Sequence, residues 1–195
     1  MFNVGDKIVY PMHGAGVIES IEEKEILGEK QAYYILKMPG EVKVMVPTAK
    51  AEEIGVRDVI DKETAGKVFK VLEDNQTEMS LNWNKRYRDN MDRMKSGDVY
   101  EIADIVRNLT FKQKEKGLST GEKKMLLNAK QILVSELVLA EQVEKDKMEE
   151  LVDTAINDSY IKNIVQREQT ANVEIPQNVV SKFIPFGSEN KSNEN

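Results

Sequence analysis

The sequence predicts an α+β fold: a small Tudor/SH3-like β-barrel followed by an all-α bundle of about five helices. Three observations carry this. Up to about Val56, short runs rich in Val, Ile and Tyr alternate with glycine-containing turn signals. From Lys62 onward the apolar spacing changes from that of strands to that of helices. Capping pairs and glycines then divide the helical part into separate segments.

The strand-like runs are "DKIVYP", "AGVIESIEE", "AYYILKM" and "VKVMVP", with "HGAG", "LGEK" and "PGE" between them. Four closely spaced strands in so short a stretch imply a small, strongly bent barrel, and Gly14 and Gly16 suit sharp curvature. The first helix runs from Lys62 to Leu72, with Ala65, Val68, Phe69 and Leu72 on one face. A second is expected from about Met79 to Lys95, ended by Gly97. Asp98 is placed to cap a third, with Glu101 completing a capping box and Gly117 as the stop. Ser119 and Glu122 form another capping box, opening a long helix through Met125, Ala129, Ile132, Leu133 and Leu137. A fifth follows near Met148 to Val165. The domain boundaries expected are 1–56 for the barrel and 60–165 for the helices. Residues 166–195, dominated by Asn, Ser and Pro around "FIPF", read as a disordered tail.

Composition excludes several classes. Without cysteine there is no disulfide, thiol catalysis or cysteine-based metal site. No long uncharged apolar run exists, so no membrane span is expected, and Asp6 and Lys7 interrupt any secretion signal. The cytoplasm is the expected location. The net charge of −6 hides a split: residues 81–130 carry +5, whereas residues 131–195 carry −6. A local anion-facing surface follows from such asymmetry.

Chemistry is hard to find. His13 is the only histidine, and "HGAG" leads into a strand, not the helix that a phosphate cradle opens. "GLSTGEKK" has three residues between its glycines where a Walker A loop needs four. No serine has the context of a nucleophile, and the carboxylate runs read as solvated charge. The chain is expected not to be an enzyme and to need no cofactor or metal.

The segment "SLNWNKRYRDN" is the strongest functional signal. It sets the single tryptophan, Trp83, on a helix face with Tyr87, among Lys85, Arg86 and Arg88. Trp83 could plug a gap between barrel and bundle. Alternatively an aromatic plate held at the surface beside cations can wedge into or stack on nucleobases. A second cluster, Lys112, Lys114, Lys116, Lys123 and Lys124, flanks Gly117, and the helix start at Ser119 adds backbone donors for a phosphate.

Four stretches, "VGDKIVYPMHGAG", "VMVPTAKAEEIGVRDVI", "NWNKRYRDNMDRMKSGDVYEIADIVRNL" and "GLSTGEKKMLLNAKQILVSELVLAE", together resemble the CarD/CdnL family of bacterial transcription regulators. The resemblance covers residues 2 to about 160. It implies a Tudor-like RNA-polymerase-interacting domain at 1–56 and a helical DNA-binding domain at 60–165. It also implies a regulator that contacts the polymerase β subunit and upstream promoter DNA, stabilises the open complex, often at ribosomal RNA promoters, and sits at the nucleoid through polymerase as a monomer. By position, Trp83 corresponds to the family's minor-groove wedge. Lys85, Arg86, Arg88, Lys123 and Lys124 correspond to its DNA-binding cations, and Lys24, Ile35, Met45 and Pro47 to its polymerase contacts. Some relatives carry arginine at the positions of Lys24 and Met45, so contact here should lean on packing and strand pairing. Asn128 stands where some members have lysine, which implies a weaker phosphate contact. The transcription-repair coupling factor shares the barrel but also carries a translocase motor, for which this chain has no Walker loop. Two other readings remain open: a polymerase-binding module that does not use DNA, and a Tudor-like peptide reader. The latter needs an aromatic cage, for which the barrel offers only Phe2, Tyr10, Tyr33 and Tyr34.

Overall fold

Alternating burial over short strands builds the first part of the molecule. The computed structural model describes residues 1–26 and 28–171. Strands β1 (Lys7–Tyr10), β2 (Gly14–Ile26), β3 (Glu29–Lys37) and β4 (Lys43–Pro47) are followed by a 3-10 turn and a short helix α1 (Ala51–Ile54). A two-residue strand β5 (Arg57–Asp58) then closes against β1. All pairings are antiparallel, in the order β4-β3-β2-β1-β5. A register shift between Ile18 and Ser20 makes Glu19 a bulge, and bulges bend and twist the strand that carries them. Ile8, Ile18, Tyr34, Leu36 and Val46 form the inner core. The fold is thus α+β, with a fifth strand beyond the four expected. Two residues are too few to show an alternating pattern.

The helices are α2 (Lys62–Glu73), α3 (Trp83–Lys95), α4 (Val99–Glu115), α5 (Thr120–Glu141) and α6 (Lys145–Ala171). Val68, Leu72, Met94, Ile102, Ile105, Leu109, Ile132 and Leu133 are sealed in one core shared by α2 to α5, which Val152 and Ile156 of α6 complete. Helix α3 starts at Trp83, not Met79, because the Asn82 side chain accepts from Lys85 N–H and fixes the cap there. Asp98 caps α4 as expected. Glu101, however, pairs with Arg93 and does not complete a box, whereas Ser119 and Glu122 form the full box at α5. Helix α6 continues to Ala171, past the end expected at 165. The tail expected from there lies, beyond Ala171, outside the described residues. Among the described residues, no helix is long and apolar enough to cross a membrane.

Barrel and helices are fastened through α5. Ala15 N–H donates to Ser135 Oγ at 2.8 Å, and Lys7 Nζ donates to the Leu139 carbonyl at 2.9 Å. A Cβ on Gly14, which has φ +104°, would stand 2.5 Å from Ser135 Oγ, so only glycine permits this approach. Arg57 grips Glu136 with two hydrogen bonds of 2.5 and 2.9 Å and also donates to the Gly97 carbonyl. Glu136 is 0% exposed and accepts from Ile60 N–H as well, so its charge is fully partnered.

Candidate nucleic-acid interface

Trp83 opens α3 and remains 44% exposed. Its indole is nevertheless fixed. Nε1 donates to Ser119 Oγ at 2.8 Å, and the ring stacks on Tyr87 at 5.6 Å between centroids and 28° between planes. Both rings lie against the first turn of α5, where a Cβ on Gly121 would meet Tyr87 at 3.4 Å and Trp83 at 3.7 Å. The gap-plugging alternative therefore fails: one face of the tryptophan is held and the rest is open.

The acceptor that holds the indole is itself held. Ser119 Oγ donates to Glu122 Oε2 at 2.9 Å and receives Glu122 N–H. The buried Glu122 carboxylate takes Arg86 Nε at 2.8 Å and Nη2 at 2.7 Å, and Lys112 approaches at 3.7 Å. Burial favours protonation of Glu122. Hydrogen bonds from Arg86 and from the Ser119 backbone and hydroxyl outweigh it and leave the carboxyl below its ordinary pKa.

The expected DNA-binding residues divide on these facts. Lys85, Arg88, Lys123 and Lys124 are exposed around the α3 and α5 starts, and among the described residues no carboxylate pairs with any of them. Arg86 is 8% exposed and donates inward to Glu122 and to the carbonyls of Ser80 and Leu81. It builds the surface and does not face it. The residues that sequence reasoning missed in this role are Ser119 and Glu122, visible only as a helix cap, and the burial of Arg86. Arg86, Asn90 and Met94 share one helical stripe and all three are buried, but the two polar members hide that face from a reading of apolar spacing.

In the barrel, direct pairings place Ile35 opposite Met45, Tyr33 opposite Pro47 and Lys24 opposite Gln31. Directly paired residues share a sheet face and the period is two, so Lys24, Ile35, Met45 and Pro47 all lie on the outer face. Met45 is 46% exposed there, Ile35 is buried, and the Lys24 ammonium pairs with Glu22 at 2.9 Å. Strand β4 is one edge of the sheet and β5 the other.

A small antiparallel sheet fastened to a helical bundle that opens one helix with an exposed indole defines a two-part protein, a β half and a helical half. Comparison with known families gives the same division. Residues 2–60 match the model of the CarD-like/TRCF RID domain, and residues 67–153 match that of the CarD C-terminal domain. A Bacillus subtilis (strain 168) protein named "Putative transcription factor YdeB" is 46% identical over 138 residues, which cover 70% of this chain and 90% of that protein. The chain belongs to the CarD-like family of transcription factors.

Proposed function

We propose that the protein docks on the β subunit of RNA polymerase through the outer sheet face and β4 edge, and stabilises melted promoter DNA with Trp83. It acts by binding, without bond-making chemistry, as a cytoplasmic monomer brought to the nucleoid by polymerase. An exposed edge strand offers unpaired backbone groups for strand addition, and the flanking Met45 offers packing. Such a tether raises the local concentration of a weakly binding DNA surface.

The observation that carries the proposal is the indole: 44% exposed, pinned by Ser119 and Tyr87, on a helix start that also exposes cations with no acidic partner among the described residues. Pre-orientation removes part of the ordering cost of stacking on a base. Only melted DNA offers an opened base step, so the contact favours the open complex. A differential of ~1.4 kcal/mol shifts the open/closed ratio about tenfold, within the ~1–3 kcal/mol that one stacked base supplies. Lys85, Arg88, Lys123 and Lys124 hold backbone phosphates with little sequence preference. Trp83→Ala should leave polymerase binding intact and shorten the open-complex lifetime on a ribosomal promoter about tenfold. Equal lifetimes for variant and parent would remove the wedge.

A further inference from the structure

Between α2 and α3 the chain from Asp74 to Asn82 forms no helix or strand, yet buried polar groups fasten it at both ends. Thr77 bonds to Asp104 and Asn108, two buried side chains of α4. Arg86 donates to the Ser80 carbonyl at 2.7 Å and the Leu81 carbonyl at 3.3 Å. So fixed a strap would be expected to bury its apolar residues, but Leu81 is 96% exposed.

Leu81 stands at the lip of a cavity of about 550 Å³ between the strap and the end of α4. Met79 and Leu81 supply apolar wall, Lys112 and Lys116 supply cations, and Glu78 and Glu115 add carboxylates. A site for bare phosphate would not carry two acids. Apolar surface for a flat face, mixed donors and acceptors for its edge, and an exposed cation such as Lys116 alongside suit a nucleobase with its phosphate. The lip and the indole also belong to one frame. Hydrogen bonds run from Trp83 Nε1 to Ser119 Oγ, on to Glu122, to Arg86, and from Arg86 to the Leu81 carbonyl.

We infer that this cavity receives a nucleotide of the DNA strand unstacked at the edge of the melted region, with Leu81 as a second apolar side chain packed on its base. The inference rests on the proposed contact between Trp83 and DNA. Leucine is among the side chains that separate base steps in the minor groove. The cavity gives a displaced base an apolar destination, which lowers the cost of keeping the step open.

The test uses the full chain and a forked DNA duplex with 2-aminopurine at the first unpaired position, at low salt. The parent should bind the fork more tightly than the closed duplex and change the 2-aminopurine emission. Leu81→Ser should weaken fork binding about tenfold, leave duplex binding and the thermal midpoint unchanged, and lose the emission change; Leu81→Met should restore both. With an abasic residue at that position, parent and Leu81→Ser should bind alike. Parent-like binding of the aminopurine fork by Leu81→Ser, or equal losses on fork and duplex, overturns the inference. Should Trp83→Ala weaken fork binding where Leu81→Ser does not, the wedge stands and the cavity falls. Absence of any DNA binding by the parent removes both.

Discussion

A single carboxylate, Glu122, decides how Trp83 is presented. It accepts from the Ser119 hydroxyl, which takes the indole N–H, and from Arg86, which fixes the strap before α3. Because its pKa in the folded protein is depressed, the stabilisation it brings is fully present above the unfolded carboxylate pKa and is lost as pH falls through the folded value. Denaturant unfolding of the parent should therefore show stability falling below about pH 4. Glu122→Gln should be less stable than the parent at pH 7, since it leaves Arg86 buried without its anion, and should respond less to acid. Identical acid profiles for the two would show that this group does not hold the cradle. At this scale the sequence was half legible. Tryptophan amid lysine and arginine is an anomaly that any reading of side-chain chemistry notices. That Arg86 turns inward while Lys85 and Arg88 turn outward was not legible, since it depends on a carboxylate far along the chain.

Strands β3 and β4 bring Ile35, Met45 and Pro47 together on one face. Period-two alternation fixes this arrangement once the register is known, and the turn signals in the sequence set that register well. What the text concealed was β5, too short for any pattern, and the strap before α3, whose Met79 fits a helical period. Tertiary polar contacts from Thr77 and Arg86 overrule that period. Lys24 and Met45 lie outside the barrel core, so Lys24→Glu with Met45→Glu should fold with a stability change within about 0.5 kcal/mol. Co-purification with polymerase should be lost in this variant. Undiminished recovery would place the docking surface elsewhere on the molecule.

For the whole molecule, the decisive contacts join barrel to bundle. Arg57, from the smallest strand, anchors Glu136 near the C-terminal end of α5, and Ala15 reaches Ser135 one residue before it. Neither contact could be read from the sequence, because nothing local says that residues so far apart meet. Arg57→Ala should cost roughly 3 kcal/mol by stranding a buried carboxylate. It should also lower the thermal midpoint, and an unchanged midpoint would mean that the Arg57–Glu136 pair does not hold barrel and bundle together. The same contacts have a mechanical meaning. Sheet and indole belong to one compact unit fastened through α5, so a displacement of the sheet upon docking should be passed on to the aromatic ring.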